Sequence, residues 1–396
     1  LYPGAAGPAF NEDQLRELRA ECRRLALTNE YAINGHENRI SYVVGTGHTY
    51  HVAICKGVEA APEFAQQAEM FLDEFRKVNR WQSRQQEIVR RLDRDGEAFL
   101  RFFVDRRGMT HVRFIEPEQI ATPTDLRERS EASFGILTDP LDVETIRGYF
   151  VDGKLIDAAE IQHRKANVDA NVKRGLPLYA PVRKNLRRAE KLLRNMSVVT
   201  EIQSAIALIR KHRSASRTGV ETFVAANADP ARLGPQGRVG QLTQYGPGTI
   251  LDAPAGLEYD FPATGVNASS FVAILQAELR SIAARLVMPE FMFTSDASNS
   301  NYASTMIAEG PAVKMFERLQ ASTVERDLEI MWRVLENAVA AGKLPPTTCD
   351  VIEIQATPPS VSVRDHFRDA QVAQIAYRHG VLSPQTWSRQ LGLDYE

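Results

Sequence analysis

Apolar residues recur every three or four positions through much of this chain, the step of a helix with one buried side. The clearest run covers 267–288, where Phe271, Leu275, Leu279, Ile282 and Leu286 form a stripe. It stops at Met288-Pro289, because proline lacks a backbone donor and pushes the preceding residue out of helical geometry. SDASNSNYAS, residues 295–304, is nearly all small and polar and reads as a loop. Val324, Leu328, Met331, Leu335 and Ala338 then restore the helical step. A helix unbroken from Tyr302 to Ala341 would be about 60 Å long, more than a compact domain usually holds. A second rod is predicted over 178–213, about 54 Å if unbroken. Its stripe is Val182, Leu186, Ala189, Leu193 and Met196.

Shorter elements surround these rods. Asn11 is placed to cap a helix carrying Leu15, Leu18, Cys22 and Leu25 on one face. Residues 62–93 read as helical, with Phe64, Phe71 and Phe75 packing and Trp81 near the middle. Asp95-Gly96 turns the chain into a strand from Ala98 to Val104, and His111 to Ile115 returns as a hairpin. Asp152-Gly153 between GYFV and KLI signals a second hairpin. Residues 214–264 are rich in Ser, Gly, Pro and Asn, with short strands expected at Glu221–Ala225 and Thr249–Leu251. Pro345-Pro346 ends the long helix, and Val351–Ile354 alternates like a strand returning to the sheet. Near the end, Ser383 caps a last helix with Pro384 in its first position. The class is α+β.

The totals narrow the function little. The 396 residues suffice for two or three domains. A net charge of −2 gives no global pull toward nucleic acid, so any DNA affinity has to be local. The local candidate is Arg183, Lys184, Arg187, Arg188, Lys191, Arg194, Arg210, Lys211 and Arg213, nine basic residues against Glu190 and Glu201. Arg183, Arg187, Lys191 and Arg194 share one helical side. Such a face suits sequence-blind phosphate contact. The plainer reading, a solvated or inter-subunit salt-bridged face, is preferred. No run of about 18 apolar residues marks a membrane span. No signal peptide is read, and Leu1 need not be the natural first residue. Cys22, Cys55 and Cys349 are odd in number and far apart, which suits a reducing compartment.

Catalytic sets are missing from the reading. There is no phosphate loop ending in Gly-Lys-Ser/Thr, no His-Glu-x-x-His, no Cys-x-x-Cys and no Gly-x-Ser-x-Gly. Gly45-Thr46-Gly47 lacks the third glycine of a nucleotide loop and reads as a tight bend. His48 and His51, three apart near a strand, fall on opposite faces and do not share a metal. Asp93, Asp95 and Glu97 flank Gly96 and read as turn-formers facing solvent rather than a metal cluster. No enzyme, cofactor or metal is expected.

Several phrases together resemble the phage portal proteins, in particular their lambda-like branch. They are Val-Val-Gly-x-Gly at 43–47, Leu-x-x-Asp-Gly-Glu at 92–97, and His163 followed by Arg174-Gly175-x-Pro177. GPGT at 246–249, LVMPEFMF at 286–293 and the Asn-Tyr loop after it continue the series. Asp365, Asp369, Ala370, Gly380, Ser383 and Thr386 complete it. No one phrase is specific; their order is. The resemblance implies a portal fold: a wing in 1–177, a first stem helix in 178–213, a clip in 214–264 and a second stem helix in 265–289. A tunnel loop in 290–303, a long wing helix in 304–345, and a return strand with crown-side helices in 346–396 follow. Ser295, Asp296, Ser298, Asn299, Ser300, Asn301 and Tyr302 would then border a DNA channel. The implied assembly is a homo-oligomeric ring of about twelve copies at one capsid vertex of a tailed phage. Its implied partners are double-stranded DNA, the large terminase, a head–tail adaptor and the major capsid protein, with no membrane. It would be assembled in the host cytoplasm and carried in the virion. Two other readings stay open: a DNA-binding processing enzyme that grips with the basic helix, and another head-completion ring protein.

Overall fold

The structure, a computed structural model, describes residues 10–127, 129–211, 218, 249–253, 268–296, 298, 302–361 and 366–390. It divides into two compact units, one of residues 1–184 with 280–396 and one of 185–279.

The larger unit opens with α1 (Glu12–Thr28) and α2 (Glu30–Val43). Asn11 caps α1 in a reciprocal box with Gln14, and Leu15, Leu18, Cys22 and Leu25 are buried as their spacing predicts. Next come β1 (Thr49–Ile54), α3 (Pro62–Asn79) and α4 (Trp81–Asp95). The helical stretch expected over 62–93 is therefore two helices. The break is at Arg80, which takes a left-handed φ of 48°, and Trp81 begins α4 rather than sitting mid-helix.

β2 (Glu97–Val104) pairs antiparallel with β3 (Thr110–Ile115) as the expected hairpin. β4 (Ile136–Thr138), β5 (Ile146–Val151) and β6 (Lys154–Asp157) form a separate three-stranded sheet. In its hairpin Val151 faces Lys154, and Asp152 and Gly153 both take positive φ. That is the left-handed pair a two-residue turn requires. β7 (Ile161–Lys165) joins the other edge of β2.

Later in the chain lie α7 (Glu290–Thr294), the long α8 (Tyr302–Ala340), a short turn of helix α9 (Thr348–Val351) and β10 (Ile352–Thr357). The helix of 39 residues agrees with its predicted length, and Pro311 lies inside it. β10 pairs with β1 in a two-stranded sheet rather than joining the sheet of β2. The segment from Pro289 to Tyr302 is not all loop, since α7 occupies its first part. α10 (His366–Arg378) and α11 (Pro384–Gln390) end the unit. The hydroxyl of Ser383 accepts from the Thr386 amide, as a cap should.

The main core joins α3, α4, β1, β2 and β10 to one side of α8. Phe75, Trp81, Ile88 and Leu100 meet Ile330, Met331, Val334, Leu335 and Ala338, all nearly inaccessible. A smaller core of Phe99, Ile115, Ile136, Tyr149 and Ile161 lies between the two three-stranded sheets.

The smaller unit holds most of α5 (Arg183–Ala205), β8 (Ile206–Lys211), β9 (Thr249–Ala253) and the first part of α6 (Ala268–Leu286). The rod expected over 178–213 is thus shorter. A single 3-10 turn precedes it, and from Ile206 the chain becomes a strand parallel to β9. The β-branched and apolar run IALI suits a strand better than another helical turn. The start of α5 meets the end of the unit's stretch of α6: the amide of Asn185 donates to Glu278 at 2.8 Å and Arg188 pairs with the same carboxylate. Leu186, Ala189, Leu275 and Leu279 are buried. The strand expected at 221–225 lies outside the described residues.

Candidate functional site

The polar loop after α7 starts from a fixed base within the larger unit. α7 starts at Pro289, whose extended backbone caps it, and stops at Ser295 in a left-handed turn. Its last carbonyls have no helical partner and need donors from elsewhere. Asn34 and Asn38, one helical turn apart on α2, supply them. The Asn34 amide donates to the carbonyls of Met292 and Phe293 at 3.2 and 2.7 Å, and that of Asn38 to Met292 at 2.9 Å. Tyr31 packs against the ring of Phe293, which is fully buried. Ser295, Asp296 and Ser298 are exposed. The Asp296 carboxylate accepts from the Ser298 amide, and the Ser298 hydroxyl and amide hold its pKa below the usual value. Asn299, Ser300 and Asn301 lie outside the described residues, and Tyr302 opens α8.

Replacing Asn34 and Asn38 together by Leu should leave the core standing while freeing this base. At about 1 kcal/mol for each of the three lost hydrogen bonds, roughly 3 kcal/mol in all, cleavage between Ser295 and Ser298 should speed up by about two orders of magnitude in limited proteolysis. Unchanged cleavage would show that the two asparagines do not hold the loop.

The four basic residues expected to share a helix side, Arg183, Arg187, Lys191 and Arg194, all lie on α5, but the set of nine does not stay on one helix. Arg187, Arg188, Lys191 and Arg194 are exposed along α5, as is Lys184. Arg183 is engaged with Glu21 at 3.3 Å and with the Ala180 carbonyl. Arg188 is held by Glu278, first through its hydrogen bond, which raises its pKa. Arg210 and Lys211 sit on β8, beyond the helix, and Arg213 lies outside the described residues.

The acidic phrase LDRDGE departs most from expectation. Asp93, Asp95 and Glu97 do not face water; each is at most 3% exposed, and arginines surround them. Asp93 takes Arg39 at 2.8 Å, and Asp95 takes Arg23 and Arg94. Glu97 receives Arg19 at 2.6 Å, Arg174 at 2.7 Å, the His163 ring at 3.1 Å and the Gly175 amide at 3.1 Å. Arg174 spends its other donors on the carbonyls of Pro117, Ile120 and Phe134. Burial by itself pushes the Glu97 carboxyl up, but Arg174 and Arg19 outweigh it and hold it well below the carboxylate range. Burial pulls Arg19 down to about 10, which leaves it charged. His163 and Arg174-Gly175, distant in sequence, thus meet at the turn that LDRDGE makes. A second buried carboxylate, Asp327 in the middle of α8, accepts from Tyr50, Gln85 and Arg164 at 2.6–2.7 Å. An acid inside an apolar helical stripe gave no sequence signal, and neither did its partners. Among the described residues no group of His, Cys, Asp or Glu has metal-site geometry. His48 is buried ahead of β1, while His51 pairs with Glu69.

Residues 3–320 match the family described as phage portal protein, lambda family. The chain belongs to that family. The portal chain is also similar in fold to solved particle components. One is in the virion of a native gene transfer agent particle, with 13% identity and a TM-score of 0.50 over 96% of this chain and 94% of that one. Another is in the neck of an empty gene transfer agent particle computed with C6 symmetry, with 14% identity, a TM-score of 0.51 and the same coverage. An HK97-family phage portal protein from Corynebacterium diphtheriae aligns at 16% identity and a TM-score of 0.34, over 72% of this chain and 83% of that one. No curated protein matches the sequence. The α+β architecture is that of the portal fold, and the family is one of structural capsid components rather than enzymes. No described helix is long and apolar enough to cross a membrane.

Proposed function

We propose that copies of this portal chain close into a ring of about twelve at one capsid vertex, repeating a single heterologous contact around an axis. Double-stranded DNA passes through the middle. The family match over residues 3–320 carries this reading. The surface of the smaller unit supports it: Val198 on α5 and Val272 and Ile274 on α6 are 42–52% exposed, and neighbouring copies would cover them. The helices around the unit's boundary are the stem, and residues 214–264 are the clip that a head–tail adaptor binds. The large terminase supplies the motor, the major capsid protein surrounds the ring, and the ring assembles in the host cytoplasm before entering the virion. The chain itself performs no catalytic step.

In this reading the segment Ser295–Tyr302 borders the channel. Its serines and asparagines offer weak, sequence-blind contacts that let phosphate slide past. The exposed cations of α5 are a solvated or inter-subunit face. Deleting Ser298–Asn301 should leave native mass at the ring value while lowering DNA packaging or retention. A deleted chain that no longer forms rings, or rings that package normally, would refute the channel role. A parent chain that stays single at high concentration would refute the ring.

A further inference from the structure

The larger unit carries a cleft of about 410 Å³ that the portal reading does not use. Its walls are the turn Thr46–Thr49, the end of α3 and the start of α4. Three cations line it. Arg76 is paired with Asp73 at 2.8 Å, while Lys77 and Arg80 are exposed and form no ion pair among the described residues. α3 ends and α4 begins at Arg80, so the opposite ends of the two helix dipoles meet there and the positive charge of the cleft comes from its side chains. His48 lines the cleft and is 3% exposed. Its Nε2 donates to the Val43 carbonyl at 2.8 Å, which leaves Nδ1 as a buried acceptor with no partner among the described residues.

We propose that this cleft is a docking site for a short acidic peptide segment of a partner protein. The size is that of a ligand cleft and suits a few residues of extended chain. The unbalanced charge calls for carboxylates, which Lys77 and Arg80 receive. Duplex DNA fits worse: it is a convex rod whose phosphates reach protruding cations rather than a walled cleft. The proposal stands on the cleft alone and does not require the ring.

Calorimetric titration of the purified chain tests it, with tetraglutamate, tetraglutamine, inorganic phosphate and a short DNA duplex as probes. Tetraglutamate should bind saturably, tetraglutamine should not, and the double variant Lys77→Glu, Arg80→Glu should weaken binding at least tenfold. If that variant melts early, Lys77→Gln, a change at an exposed helix position, should still weaken it severalfold. Absence of saturable binding, or affinity untouched by these substitutions, overturns the proposal. Phosphate or duplex binding as tightly as tetraglutamate overturns it too, and assigns the cleft to phosphate.

Discussion

Replacing Glu97 by Ala should destabilise the larger unit by about 3–5 kcal/mol, among the largest effects of any single side chain here. The reason is what remains behind. Arg19 and Arg174 are both buried, at 4% and 5% exposure, and both would keep their charge with no carboxylate to meet it. The Gly175 amide and the His163 ring would lose their acceptor as well. Thermal unfolding is the measurement, and a fall of roughly 10 °C is expected for a unit of this size. A fall of under 2 °C would mean that the arginines find water or other partners, and that the cluster does not brace the fold.

The same cluster sets the acid response. His163 is pushed below its ordinary value, chiefly by burial and only partly offset by Glu97. Glu97 is held below its own ordinary value by the arginines, against the effect of burial. Each group therefore binds a proton in the unfolded chain at a pH where the folded chain refuses it, so each contributes stability that disappears on acidification. The His163 share is full above about pH 6.5 and is lost on going below it; the Glu97 share is lost below about pH 4.3. In Glu97→Gln the decline below about pH 4.3 should be shallower than in the parent.

Gly175→Ala should be worse still, and for a steric reason. A Cβ built there lies 1.9 Å from the Gly96 carbonyl oxygen and 2.8 Å from its carbon, both backbone atoms that cannot rotate away. Parting these segments breaks the bonds from the Ala166 amide to Gly96 and from the Leu176 amide to Ala166, and it draws Arg174 off Glu97. Little folded chain should be recovered at 37 °C, as judged by soluble yield and by cooperative melting. Gly153→Ala is the control. Its φ of +77° strains a side chain, but nothing lies within 4 Å. It should cost only about 1 kcal/mol. Equal outcomes for the two variants would show that the close approach of Gly175 to Gly96 does not set the cost.

Local chemistry explains which parts were legible beforehand. The α1 cap at Asn11, the Asp152-Gly153 turn and the apolar stripe of α8 depend on residues within a few positions of one another, so spacing alone reveals them. The portal resemblance was legible for a related reason: it rests on the order of short phrases, each local. The polar loop at 295–304 was visible as composition, though the asparagines anchoring its base lie on α2, more than 250 positions earlier.

The acids of LDRDGE show where such reading stops. Beside a glycine, carboxylates ordinarily face water, and nothing within ten residues says otherwise. Arg19, Arg23 and Arg39 reach them from α1 and α2, and Arg174 reaches them from beyond β7. Asp327 is the same case in reverse, a charge inside an apolar stripe made tolerable by Tyr50, Gln85 and Arg164. Helices, turns and the order of elements follow from near-neighbour sterics and periodic burial, which a linear string records. Whether a charge ends in water or in an ion cluster depends on which distant segments the fold brings beside it, and that is decided only when the chain closes on itself.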